Sequence, residues 1–191
     1  MFWAQRWISV MKKGELLSAL SNTLQNFVLG ILLTQCMPEE KWTSLTQGGV
    51  RIDWPNGTFF HADRNWVSDV LGNHQNRIIA IGELEKSLKR ALLREGHELI
   101  LLYCEETNQV GKYKAEPWFQ FARIIRNVVS HKQGGILREW PKDLQKKGIS
   151  SASWRNRNLE ITMIGREIQF TYQEALQLMA DQIIFAQNQL S

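Results

Sequence analysis

Apolar residues recur at steps of three and four through most of this chain, and that spacing is what most limits the folds open to it. Leu17, Leu20, Leu24, Phe27 and Ile31 share one face ahead of Pro38, and Ile81, Leu84, Leu88 and Leu92 form a second stripe. A period near 3.6 residues lines such side chains along one side of an α-helix. On the second helix Glu85 and Lys89 are expected as an i, i+4 pair on the solvent side. Leu99, Leu102 and Tyr103 extend its stripe past Gly96, which leaves two readings open: one long helix, or two helices meeting at the glycine. Trp118, Phe121, Ile125, Val128 and Val129 define a further helix that starts near Pro117, a residue tolerated in a first turn. A last helix runs from about Gln173 with Ala175, Leu176, Met179, Ile183 and Phe185 apolar, and Phe2, Trp3, Trp7, Val10 and Met11 predict a short amphipathic helix at the N-terminus.

Two segments change period. Val50, Ile52 and Trp54 alternate, Pro55-Asn56-Gly57 supplies turn chemistry, and Phe59-Phe60 follow, which predicts a β-hairpin near 50–60. Leu159, Ile161 and Met163 alternate before Gly165, and Ile168, Phe170 and Tyr172 alternate after it, which predicts a second hairpin over 159–172. The resulting expectation is a mainly α helical bundle with one or two small hairpin insertions, in a single domain over residues 1–191. At 191 residues, 43% hydrophobic and 22% charged, the chain has the composition of a folded domain and not of a disordered one.

The longest apolar run, around Phe27 to Leu33, is too short to cross a bilayer, and the first residues lack the charged-then-apolar order of a signal peptide. Cys36 and Cys104 lie in apolar surroundings without metal-ligand spacing, so buried free thiols in a reducing, cytoplasmic setting are expected, with no membrane partner. His61, His74 and His97 show no paired ligand spacing either; neither a metal nor a cofactor is expected. Asn56-Gly57-Thr58 has the form of a glycosylation sequon, which a cytoplasmic location leaves unused.

Charge is unevenly distributed. From Lys112 to Arg157 eleven basic residues face three acids, Glu116, Glu139 and Asp143, so this segment carries +8 and leaves −4 for the rest of a chain whose net charge is +4. An anionic partner for that segment is one reading, and a plain solvated basic face is the other. Inside the segment, Phe121 to Gly135 sets Arg126, Asn127 and His131 on an apolar helix closed by Gly134 and Gly135. Asn127 and His131 stand one turn apart, Arg126 reaches the same patch, and Ser130 borders it. A histidine in a helix's last turn lies near exposed carbonyls that favour its charged form, which suits acid–base work on a phosphodiester held by arginine.

The run Arg126-Asn127-Val128-Val129-Ser130-His131 resembles the R-[polar]-x-x-x-H signature of HEPN domains (higher eukaryotes and prokaryotes nucleotide-binding). Its flank, from Phe119 through Gln120, Phe121, Ala122, Arg123, Ile124 and Ile125, is similar to plasmid- and phage-defence-associated members of that family. The resemblance implies a homodimer, or a pseudo-dimeric arrangement, with signature helices facing each other, and a metal-independent endoribonuclease, a toxin or antiphage effector. His131 would then move protons at the ribose 2′-hydroxyl and the leaving 5′-oxygen, Arg126 would neutralise the phosphorane, and Asn127 would orient these two side chains or the scissile phosphate. The products would be 2′,3′-cyclic phosphate and 5′-hydroxyl ends. It also implies an alternative, a HEPN module without cleavage activity that binds nucleotide, RNA or a partner protein. An antitoxin or other regulatory protein is a further candidate partner.

Around the signature, Arg123, Ser130, Lys132, Lys142, Lys146 and Lys147 are candidate RNA-binding residues. Arg123 either extends the phosphate patch or pairs with Glu116. Trp140 and Trp154 interleave with the lysines, as in a groove where bases stack, but core anchoring is the favoured reading for both.

Overall fold

The computed structural model describes residues 11–48, 50–130 and 135–191. The protein is mainly helical, with two small antiparallel two-stranded hairpins. In chain order the elements are α1 (Lys13–Cys36), α2 (Glu39–Gly48), β1 (Val50–Asp53), β2 (Phe59–Ala62), α3 (Arg64–Leu71) and α4 (His74–Glu106). They continue with α5 (Val110–Ala115), α6 (Phe119–Ser130), α7 (Lys142–Lys146), β3 (Ser151–Trp154), β4 (Arg157–Glu160), a 3-10 turn at Ile161–Met163 and α8 (Tyr172–Asn188). The amphipathic helix expected at the N-terminus falls on residues 1–10, outside the described residues.

The chain divides into two compact units, one of residues 1–26 with 89–191 and one of residues 27–88. The first holds the larger core. Leu92, Leu93, Ile100 and Cys104 of α4, Phe121, Ile124, Ile125 and Val128 of α6, and Ala175, Leu178 and Met179 of α8 are all buried in it. α4 runs unbroken through Gly96, which decides between one helix and two. A Cβ there would stand 2.7 Å from Met179 Sδ and 2.9 Å from Gln182 Oε1, so the glycine serves the close approach of α8. Thr171 and Glu174 close a capping box at the start of α8, each side chain bonding the other's backbone N–H. Lys89 turns to the Phe170 carbonyl at 2.7 Å.

Trp140 is fully buried and donates Nε1–H to the Ile149 carbonyl at 2.8 Å, while Trp154 is 4% exposed and donates to Asp181 at 2.7 Å. Both tryptophans are therefore core anchors. The second hairpin lies at Ser151–Glu160, earlier than the 159–172 expected, with Trp154 opposite Arg157 and the turn at Arg155-Asn156. Arg155 adopts φ +50 there without the Asn-Gly or Gly signal of a tight hairpin turn, which is why the turn was not legible. Ile168 and Phe170 do alternate inward, but their segment makes only an isolated bridge, Ile136 to Glu167, instead of a hairpin strand.

The second unit contains the end of α1, α2, the first hairpin, α3 and the start of α4. α1 buries Leu16, Leu20, Thr23 and Phe27, a face turned slightly from the predicted one, on which Leu17 and Leu24 are only half-buried. Without a side chain at Gly30, Leu88 comes within 2.4 Å of where a Cβ would stand. Glu85, expected in solvent, is 6% exposed and accepts hydrogen bonds from Thr34 and Gln35. The packing of α1 onto this side of α4 buries the carboxylate together with its donors, and Leu84 of the predicted stripe is 49% exposed. Arg77, 4% exposed, donates to Glu39 and to the Leu71 carbonyl. Cys36, the last residue of α1, is exposed, against expectation; Cys104, in the first unit, is buried, and burial pushes its thiol up to about 11.

α1 as a whole passes the length and composition of a membrane span, with a mean hydropathy of 1.5 over its most apolar stretch, of which 22% is buried. This extends the reading of the 27–33 run, which by itself is too short.

Candidate functional site

α6 is strongly amphipathic, and its seven buried residues, from Phe119 to Val129, fix which way its polar side chains point. The helix thereby sets Arg123, Arg126 and Asn127 along its outer edge, each partly exposed. Arg126 donates from Nη1 to Asn127 Oδ1 at 2.9 Å and from Nη2 to Glu98 Oε1 at 3.3 Å. Its Nε is buried and has no hydrogen-bond partner among the described residues. Glu98 also receives Arg94 Nε at 3.1 Å, one helical turn away on α4.

The two partners of Arg126 open onto different hollows. Asn127 lines a cleft of about 360 Å³ with Arg123, Arg138, Glu139, Lys142 and Asp143, closed below by Ile124, Val128 and Leu137. Glu98 lines a second hollow with Arg90, Arg94 and Ser130. Arg126 thus bonds one lining residue of each of two hollows, both of mixed charge. Ser130, expected beside Asn127, belongs to the second hollow, and its hydroxyl donates to the Arg126 carbonyl at 2.6 Å.

Arg123 pairs with Asp143 in two bonds of 2.8 Å, not with Glu116. The planar guanidinium meets both carboxylate oxygens at once, and the Arg123 hydrogen bond holds the Asp143 carboxyl down at about 2. Lys142 lines the cleft, whereas Lys146 and Lys147, exposed at the end of α7, do not. The signature histidine, His131, and Lys132 lie outside the described residues.

Four neighbours of the signature were not legible as site residues: His97, Glu98, Tyr113 and Arg138. His97 is 3% exposed and shares a 2.8 Å hydrogen bond between its Nδ1 and the Tyr113 hydroxyl. Desolvation first, then the positive charges of Arg126 and Arg123, push its pKa down to about 4. The imidazole is therefore neutral near physiological pH, and it packs on the Tyr113 and Phe119 rings. Burial likewise raises the Tyr113 phenol, so it stays protonated. A lone histidine in a helical stripe carries no spacing signal; only its surroundings in the fold reveal it.

Among the described residues no group of three or more His, Cys, Asp or Glu side chains is placed to hold a metal ion. Compared with family models, curated proteins and solved structures, the chain matches none. Chemically, the arrangement offers an arginine fixed by two partners, an adjacent amide, and a cleft lined by three cations and two acids.

Proposed function

We propose that this protein is a metal-independent endoribonuclease of the HEPN type, cytoplasmic and homodimeric, acting as a toxin or antiphage effector. The observation that carries this reading is the Arg126–Asn127 pair at 2.9 Å, with Asn127 lining a cleft that three cations, Arg123, Arg138 and Lys142, share with two acids, Glu139 and Asp143. In the proposed reaction His131 removes the proton of a ribose 2′-hydroxyl. The 2′-oxygen then bonds to phosphorus as the bond to the 5′-oxygen breaks, and a proton is returned to that leaving oxygen. Arg126 stabilises the charge that builds on the phosphoryl oxygens, and Asn127 keeps the guanidinium oriented. Two copies supply two histidines, one for each proton transfer.

One observation favours a second reading, a HEPN module that binds RNA, nucleotide or protein without cutting. Glu98 and Asn127 already engage both terminal nitrogens of Arg126. Glu98 is 42% exposed, so its pairing is weak and a phosphate competes with it. Purified protein incubated with total RNA in EDTA distinguishes the two readings. Cleavage leaving cyclic phosphate ends, lost in Arg126→Ala and His131→Ala variants of unchanged helicity, supports the enzyme. Dependence on Mg²⁺, or activity surviving both substitutions, overturns it. RNA retained without cleavage supports the binding module.

A further inference from the structure

Arg126 occupies one end of the Asn127 amide and leaves the other to the cleft. A guanidinium can only donate, so the amide oxygen is the atom that meets Arg126 Nη1 at 2.9 Å, and Nδ2 is the end left over. That NH₂ group has no hydrogen-bond partner among the described residues. Of the two acids in the lining, Asp143 is already engaged, because both its oxygens accept from Arg123 at 2.8 Å. Glu139 is not: among the described residues its carboxylate has neither a hydrogen bond nor an ion pair. The cleft therefore presents an unused carboxylate, an unused amide NH₂ and the Lys142 ammonium.

The backbone on either side of Glu139 is anchored. Leu137, 2% exposed, donates its N–H to the Arg166 carbonyl at 3.0 Å, and its carbonyl accepts from the Gly165 N–H at 2.8 Å. Trp140 is fully buried, and its carbonyl accepts from Gln145 Nε2 at 2.7 Å. Between these two anchors Arg138 and Glu139 are exposed, and both line the cleft. A carboxylate carried on a pinned segment loses less freedom when it takes up a ligand. The cleft floor is apolar, and its volume of about 360 Å³ falls at the lower end of the range for small-molecule sites, about 300–1,000 Å³. A flat body with an apolar face and hydrogen-bonding edges suits such a lining. A nucleobase has that form, and an isolated phosphate does not.

The unused groups select among the bases. An ionised carboxylate accepts through both oxygens and cannot donate, so its best partner is a pair of adjacent N–H donors. On the pairing edge, adenine and cytosine each set one amino group beside a ring acceptor, and uracil sets N3–H between two carbonyls. Each of these turns a lone pair toward one of the carboxylate oxygens. Of the bases in RNA, guanine alone places N1–H and the N2 amino group side by side, with the O6 acceptor next to them. A carboxylate and an amide NH₂ are the complement of that edge. It is open only in an unpaired base, as in single-stranded RNA.

We propose that the cleft lined by Asn127 and Glu139 is a guanine-reading subsite. Glu139 accepts N1–H and N2–H of an unpaired guanine, Asn127 Nδ2 donates to O6, and Lys142 meets an adjoining phosphate. The proposal rests on the ribonuclease reading for its ligand, RNA, so its test reads binding to strands that cannot be cut. Short 2′-O-methyl oligouridines whose central base is guanine, hypoxanthine or adenine are titrated with the full chain and followed by fluorescence anisotropy. The guanine strand is expected to bind about tenfold to a hundredfold tighter than the adenine strand. Hypoxanthine, which keeps N1–H and O6 but lacks the N2 amino group, is expected between them. Glu139→Gln is expected to erase the guanine preference; because it also removes a negative charge near phosphate, the ratio of affinities is the readout. Lys142→Ala is expected to weaken all three strands and keep the ratio. A wild type that binds none of the strands, one that binds guanine no tighter than adenine, or a preference that survives Glu139→Gln overturns the proposal. Should Glu139→Gln lose helicity, hypoxanthine decides in the wild type, and binding equal to guanine overturns it. Cutting of total RNA in EDTA without a guanine preference removes the subsite and leaves the ribonuclease; a guanine preference without cutting keeps the subsite in a module that only binds RNA.

Discussion

Lowering the pH should weaken this fold through one histidine, His97. It is 3% exposed, shares a hydrogen bond with Tyr113, and lies in the positive field of Arg126 and Arg123, which Glu98 partly offsets. Folding lowers its pKa from 6.5 to about 4. The unfolded chain therefore binds the proton more tightly, so stability is complete above pH 6.5 and is lost as pH falls through 6.5 toward 4. At ~1.36 kcal/mol per pH unit between the two pKa values, the full loss is about 3 kcal/mol, of which about 2 kcal/mol is already present at pH 5. Asp143 contributes in the same direction, but only below its ordinary value of 3.8, outside this window. Urea unfolding at intervals from pH 7.5 to pH 4.5 measures the slope. His97→Gln keeps a hydrogen-bonding group beside Tyr113 and cannot titrate, so its stability should be flatter across the same range. A wild type with constant stability between pH 7 and 4.5, or a His97→Gln variant with the wild-type slope, refutes the reasoning.

Replacing Lys142, Lys146 and Lys147 together by Ala should weaken RNA binding across sequences and flatten its salt dependence, by up to about 0.7 in log–log slope for each lysine–phosphate pairing removed. Filter binding over a salt series checks this, and because only Lys142 lines the cleft, Lys142→Ala alone should account for most of the weakening. In an Arg123→Ala variant the Asp143 carboxyl should rise from about 2 toward its ordinary value, read by carboxyl-carbon NMR titration. Gly96→Val places new atoms where Met179 and Gln182 already stand within 3 Å of a Cβ, and should lower stability by about 1–3 kcal/mol in thermal unfolding.

Local periodicity was enough to place the four longest helices, α1, α4, α6 and α8, because burial on one side of a helix writes itself into steps of three and four, whereas short ones such as α5 and α7 span too few turns to show a period. The first hairpin was equally legible, since alternation and the Pro55-Asn56-Gly57 turn agree. The second was not, because its turn residue Arg155 adopts a positive φ that nothing local requires. For the site, sequence alone singled out Arg126, Asn127 and the basic residues around them. Tertiary packing decided what those residues touch. Arg123 reaches Asp143, twenty positions on, and Arg126 reaches Glu98, twenty-eight positions back. The same packing placed Ser130 away from the Asn127 cleft and made Glu85 a buried acceptor. Such pairings depend on which helix faces meet, and a helix's own period fixes the face that turns inward but not the neighbour it turns toward. For that reason His97, one more residue on an apolar stripe, became a neutral, buried neighbour of the signature arginine only once α4, α5 and α6 were packed together.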